Sequence, residues 1–348
     1  MARRQNITIK DVAERAGVSQ MTVSRVLNYS SAVKPATRER VQLAIDELNY
    51  RPNVMARSLA RRQSLLIGLL YHNASSAYLS ELLVSTLKYS RELGHHLMIE
   101  DLPETDDGTF DSDLIISRLQ NLGLDGIILP PLLSRNEGLV GVLSELNSRL
   151  VVLGQLEGAP QIARVSFDDR GSARAMTRYL IDRGHRRIGF VSGLKDCLAG
   201  KARKMGFDLA LTDHDIPLNP DLCVEGDYTL RSGVRAAEKL LNMDEPPSAI
   251  FCCNDDMAAG VLVAAHRRGM SVPKDISVTG FDDTYISSIT WPGFTTIRQP
   301  IAQMAELAMT FMSGGEFPQD DDITRLSDKH VQVNTVEIIE RDSVADLT

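Results

Sequence analysis

DVAERAGVSQMTVSRVLN, residues 11–28, holds two apolar stripes at helical spacing with a glycine between them. Ile9, Val12, Ala13 and Ala16 recur at i, i+3, i+4 and i+7, the period of one helix face. Thr8 is placed to cap that helix, with Asp11 three residues on as a weak capping box. Gly17 stops it, Val18 is apolar, Ser19 suits the cap of a second helix, and Val23, Val26 and Leu27 give that helix its own stripe. A third helix is expected from near Pro35, with Val41, Ala44, Ile45 and Leu48 completing a three-helix core. Packing the stripes together leaves Gln20, Met21, Ser24, Arg25 and Asn28 facing outward, with Thr22 beside them. Gln pairs bidentately with adenine, Arg with guanine, and Met or a Thr methyl lies against thymine, so this face suits major-groove reading. The plainer alternative is a solvated polar face. The coincidence of these side chains with the helix left exposed by the packing favours DNA.

Charge points the same way. The chain of 348 residues carries a net charge of −8, yet residues 1–62 contain 12 Lys or Arg and 5 Asp or Glu, a net of +7, which leaves −15 on the rest. A basic end on an acidic body suits a nucleic-acid contact confined to that end. An apolar fraction of 43% supports more than one domain core. The apolar runs LLIGLL and AIFCC are far shorter than the roughly 20 residues of a spanning helix, so no membrane partner is expected. MARRQNITIK has no apolar signal-peptide core, and a cytoplasmic location is expected. Cys197, Cys223, Cys252 and Cys253 lack zinc-site spacing and read as reduced thiols; no metal or cofactor is expected.

From Ser64 onward, strand-like runs (SLLIGLLYH, GHHLMIED, GLDGIILPP, RLVVLGQ, RRIGFVSG, CVEGDY, SAIFCCND, DISVTGFDD) alternate with amphipathic helical ones. That alternation argues for parallel sheets, and its repetition on either side of about residue 164 argues for two α/β lobes. Ligands of such folds sit at the carboxyl ends of the strands. Asn254, Asp255 and Asp256 end one strand, Asp282 and Asp283 another, and Arg203 lies on a helix after a third. Amide, carboxylate and guanidinium groups together match the hydroxyls of a sugar. Asp255 and Asp283 equally suit helix caps. His185 in GHRRIGF, and His95 and His96 in GHHLMI, read as turns into strands. GLKDCLAGKA imitates a phosphate loop but has six residues between its glycines where the motif has four, and Ala202 replaces the Ser or Thr. Neither GxGxxG after the first strand nor GxSxG occurs, so no catalytic residue is assigned.

YRPNVMARSLARRQS, residues 50–64, joins the two regions. A helix this short is marginal in water and depends on a partner. The runs IKDVAERAGVSQMTVSRVLN, VKPATRERVQLAIDELNYRPNVMARSLARRQS, YLIDRGHRRIGFVSG, RKMGFDLAL, FCCNDDMAAG, VPKDISVTGFDDT and TTIRQP resemble, in order and over nearly the whole chain, the lactose and galactose repressor family (LacI/GalR) of bacterial transcription regulators. The resemblance implies an all-α helix-turn-helix DNA-binding domain over 1–49, a hinge helix or linker over 50–63, and an α/β two-lobed, periplasmic-binding-protein-like core with parallel sheets over 64–348. Lobe 1 is expected at about 64–163 and 293–325, and lobe 2 at about 164–292 and 326–342. It further implies paired hinge helices, with Leu59 a minor-groove wedge, Ala56 packed beside it and Arg57 near phosphate. Effector contacts are implied at Arg203, Asn254 and Asp282, with Tyr78 and Gln155 facing the cleft and Trp291 at the lobe crossover, able to stack on a sugar.

The expected function is a ligand-responsive regulator, a repressor that binds a pseudo-palindromic double-stranded operator as a homodimer under control of a sugar or glucoside. The tail after Arg341 has no leucine heptad, which favours a dimer over a tetramer. The alternatives are a sugar-binding protein that does not bind DNA and an enzyme on the same fold.

Overall fold

The computed structural model describes residues 9–27, 34–48, 64–72, 75–102, 111–315 and 322–348. The chain divides into two compact units, Met1–Ser64 and Leu65–Thr348.

In the smaller unit, α1 (Ile9–Ala16), α2 (Gln20–Leu27) and α3 (Pro35–Glu47) follow the apolar spacing. Gly17 takes φ +65°, the left-handed turn that ends α1 and that a side chain would strain. Val12, Ala13, Ala16, Val23, Val26, Val41, Ala44 and Ile45 form the core, with Val18 and Leu48 packed against it. Ser19 caps α2, its Oγ accepting from the Thr22 N–H at 3.2 Å. An exposed Arg15–Glu47 ion pair at 2.5 Å adds little to this core.

The larger unit holds two sheets. β1 (Leu66–Tyr71), β2 (His96–Asp101), β3 (Gly126–Leu129), β4 (Arg149–Leu153) and β5 (Ala163–Phe167) build the first, all parallel. β6 (Ile188–Ser192), β7 (Cys223–Glu225), β8 (Ala249–Cys252), β9 (Ser277–Asp282) and β10 (Thr295–Arg298) build the second, also parallel. β11 (Ile323–Ser327) and β12 (His330–Val333) then extend the first sheet beyond β5, and β13 (Glu337–Ile339) closes the second against β10. Helices α4 (Ser76–Glu92), α5 (Ser112–Leu122), α6 (Pro131–Ser134) and α7 (Glu137–Glu145) connect strands of the first sheet. α8 (Asp169–Asp182) carries the chain across, followed by α9 (Leu198–Asp213), α10 (Leu230–Leu241), α11 (Asp255–Arg267) and α12 (Tyr285–Ile289). α13 (Ile301–Ser313) returns to pack on α4, β4 and β5.

Strands buried on both faces read as continuous apolar runs. β8, AIFC and buried throughout, is such a strand, whereas the equally buried β9 carries Ser277 and Thr279 among its apolar residues. One core spans the unit from Ile67 and Phe167 to Phe281 and Ile297, and a second lies on the other face of the first sheet around Leu70, Ile127 and Leu143.

The expected lobe limits need correction. Residues 163–167 pair in the first sheet, residues 295–298 belong to the second, and residues 330–333 return to the first. The chain therefore crosses after β5, after β10 and between β12 and β13. The apolar segment following Trp291 is β10, and it completes the second sheet because its register with β9 runs on without interruption from Thr295 to Arg298.

Candidate functional site

The crossovers bring strand ends together around a cavity in the larger unit. Its volume is about 70 Å³. Tyr78 and Leu79 reach it from α4, Phe167 and Asp169 from the first crossover, Arg203 from α9, Tyr228 from the loop before α10, and Asn254, Asp282 and Gln299 from the ends of strands in the second sheet.

Arg203 is its centre. The buried guanidinium donates from Nε to Asp169 Oδ1 at 2.8 Å and from Nη1 to the Cys253 carbonyl, stands 3.8 Å from Asp282 Oδ1, and lies 3.6 Å over the Phe281 ring. Burial alone disfavours its charge, but Asp169 and then Asp282 outweigh that and hold it firmly protonated. Burial likewise pushes the Asp169 carboxyl up, opposed by Arg203, and pushes Asp282 well up, with Asp255 and Asp256 adding to the rise. A glycine makes the pairing possible. A Cβ on Gly206 would meet the Arg170 carbonyl at 2.1 Å, so only glycine lets α9 approach α8 closely enough to set Arg203 beside Asp169.

One cavity hydroxyl, the buried Tyr78 Oη, forms no hydrogen bond, while the buried Tyr228 Oη is set beside the Cys197 thiol. Burial, reinforced by Asp282, raises the Tyr78 phenol, and burial raises Tyr228, so both remain neutral donors. An unmet hydroxyl costs about 1–3 kcal/mol. Strain accompanies it, because Tyr228, Asp282 and Asp283 take φ of +66°, +115° and +58°, unusual for residues with side chains. An unpaired Tyr78 hydroxyl and left-handed backbone at Tyr228 and Asp282 around one cavity suit a binding site.

Around the cavity, carboxylates fix the frame. Ser75 caps α4, accepting from the Tyr78 N–H, and its hydroxyl donates to Asp256 Oδ2 at 2.6 Å, linking the first sheet's helix to the second lobe. Asp255 accepts from the Thr284 N–H at 2.7 Å, the Thr284 hydroxyl at 3.0 Å and the Thr296 hydroxyl at 2.7 Å, and burial pushes its carboxyl up to about 7. Asp283 pairs with Arg298 and Arg341. Neither of these two lines the cavity.

Of the residues expected at the cleft, Tyr78, Arg203, Asn254 and Asp282 meet in this cavity. Asn254 is partly committed: its Oδ1 caps α11 at the Met257 N–H and its Nδ2 donates to the Tyr228 carbonyl, each at 3.0 Å. Gln155 and Trp291 are not among the cavity's lining residues. Gly154, at φ +102°, turns the chain at the cavity wall and leaves half-buried Gln155 outside the lining, while Trp291 follows α12 with its side chain 87% exposed. Asp169, Tyr228 and Gln299 were not anticipated. The one available signal was SFDD at 166–169, the same apolar-then-acidic strand end as FCCNDD and GFDD.

In the smaller unit, Gln20 and Met21 are exposed, Met21 at 65%, and Thr22 is half-buried with its hydroxyl 3.0 Å from Ser19 Oγ. Ser24 and Arg25 lie on α2, but their side chains fall outside the described residues, as do Asn28, Ala56, Arg57 and Leu59 altogether. Among the described residues no helix is long and apolar enough to cross a membrane.

The profile for bacterial regulatory proteins of the lacI family matches residues 8–53, and that for a periplasmic binding protein-like domain matches 177–344. Catabolite control protein A of Priestia megaterium is 35% identical over 311 residues, which span 88% of this chain and 92% of that one. The chain belongs to the LacI family of bacterial regulatory proteins. Among solved structures, the Lac repressor dimer bound to operator and the anti-inducer ONPF superposes with a TM-score of 0.79 at 27% identity, over 98% of this chain and 100% of that one. The transcriptional regulator CelR in complex with cellobiose superposes at 0.70 and 28% identity, over 97% and 99%. This LacI-family protein is a transcriptional regulator that joins a helix-turn-helix unit to a two-sheet α/β core.

Proposed function

We propose that the protein is a cytoplasmic repressor, not an enzyme, which binds a pseudo-palindromic operator as a homodimer and responds to a neutral, hydroxyl-rich effector, a sugar or glucoside, held by Tyr78, Tyr228, Arg203, Asn254 and Asp282. The observation that carries this reading is the cavity's unpartnered Tyr78 hydroxyl beside a buried Arg–Asp array, a set that donates to and accepts from ring hydroxyls. The cellobiose bound to CelR supports the chemical class. Gln20, Met21, Thr22, Ser24, Arg25 and Asn28 read the operator, and Ala56, Arg57 and Leu59 engage the minor groove between half-sites.

Size supplies the switch. The enclosed 70 Å³ holds a few waters, whereas ligand pockets run to about 300–1,000 Å³. A sugar therefore binds an arrangement in which the lobes stand further apart, and it shifts the protein towards that arrangement by the difference in its affinity for the two. The test is a thermal-shift screen of mono- and disaccharides, followed by titration of inverted-repeat duplexes with and without the hit. No preference for any inverted repeat over scrambled sequence, with or without sugar, would sink the proposal.

A further inference from the structure

Leu65 is the first residue of the larger unit, where the chain arrives from the linker. Besides the backbone bond from the His96 N–H to the Leu65 carbonyl at 2.9 Å, two side chains hold this point. The Leu65 N–H donates to His95 Nδ1 at 3.3 Å, and the Leu66 N–H donates to Asp125 Oδ2 at 2.7 Å. The other face of the His95 ring meets α13, with Nε2 2.9 Å from Ser313 Oγ. Donor roles follow from chemistry. A backbone N–H can only donate, so Nδ1 carries no proton; Ser313 Oγ donates to the Met309 carbonyl at 2.9 Å, so Nε2–H donates to Ser313.

The ring stands where two long elements end. α4 starts at the cavity with Ser75, Tyr78 and Leu79 and ends three residues before His95; α13 follows cavity residue Gln299, contributes Met304 to the wall, and ends at Ser313. The two helices, of 17 and 13 residues, pack on one another along the first sheet. A helix rises about 1.5 Å per residue, so α4 and α13 run about 25 and 20 Å from the cavity towards the His95 ring.

We infer that His95 is the positioning residue through which the cavity acts on the linker: its neutral imidazole ties the far ends of both cavity-lining helices to Leu65 and so sets the geometry in which the chain enters the linker. The inference rests on the regulator reading above. Protonation of Nδ1 replaces the acceptor with a second N–H and breaks the tie to Leu65. The charged groups around the ring are His96, Arg149 and Asp125; burial first, then His96 and Arg149, disfavour the imidazolium, and Asp125 partly opposes them. The tie is therefore intact at neutral pH and opens below the ordinary imidazole range.

The experiment uses the full chain, its H95Q and H95L variants, and an inverted-repeat duplex selected from a randomised library with the wild type. Gln retains an acceptor and a donor but does not titrate; Leu retains neither. Two readouts are taken from pH 8 to 4.5: exchange protection of the Leu65 amide relative to Leu66, and duplex Kd. H95L is expected to lose Leu65 protection tenfold or more and to bind duplex at least fivefold more weakly at neutral pH. The wild type is expected to approach H95L as pH falls, while H95Q stays near the neutral wild-type value. Wild-type protection and Kd in H95L overturn the inference, and so does an H95Q pH profile identical to wild type, which serves alone if H95L does not fold. Failure of the regulator reading looks different, since the wild type then selects no duplex.

Discussion

Removing the Tyr78 hydroxyl should have opposite effects on the free and the liganded protein. In Tyr78→Phe the ring and its packing remain and only an oxygen that forms no hydrogen bond is lost. A buried polar group left unmet costs about 1–3 kcal/mol, and deleting it recovers that cost less a small packing loss, so the free protein should gain about 1 kcal/mol. The sugar, by contrast, should lose one neutral hydrogen bond, again about 1 kcal/mol, which is roughly five- to tenfold in Kd. Urea unfolding of the full chain at constant slope measures the first effect, and titration with the sugar found by thermal shift measures the second. A ligand-free Tyr78→Phe protein less stable than wild type by 1 kcal/mol or more would mean that the hydroxyl is satisfied, and the argument from an unmet donor would fail. Unchanged sugar affinity would move the ligand away from α4.

Arg203→Met should cost about 3–5 kcal/mol, because it leaves Asp169 and Asp282 buried without their counter-charge; near-wild-type urea stability would contradict the network. Asp255 has a folded pKa raised to about 7 by burial, so its contribution to stability is fully present below its unfolded value near 3.8 and is lost as pH rises through about 7. Asp255→Asn should therefore flatten that part of the stability-against-pH curve, and an unchanged slope between those values would refute the assignment. Arg25→Ala should cost about 1–3 kcal/mol on the selected duplex and relax base preference at one position of each half-site. Equal weakening on scrambled duplex would reduce Arg25 to a phosphate contact.

Much of the molecule is legible locally. Helical apolar spacing up to Leu48 and the stop at Gly17 account for the three-helix unit, because the period of a helix face is a property of neighbouring residues. Apolar runs locate most strands, and two of those that end in acidic residues carry Asn254 and Asp282 with them, since a parallel strand is buried along its length. β5 escaped because ARVSF, with its Arg164, lacks the unbroken apolar run of its neighbours. The lobe membership of β10 and β12 is not legible in the sequence, because pairing partners far apart in the chain leave no mark on either segment.

Residue types and their periods thus dictated that this chain makes a helix-turn-helix and two parallel sheets, for local sterics and apolar burial act over a few neighbours. What three dimensions alone settled is which strand ends converge. Arg203 finds Asp169 34 positions away and approaches Gln299 96 positions away, Tyr78 leaves its hydroxyl unpaired in the cavity, and Trp291 turns to solvent. Those outcomes follow from where crossovers place whole elements, a sum over distant contacts that no short stretch of sequence contains.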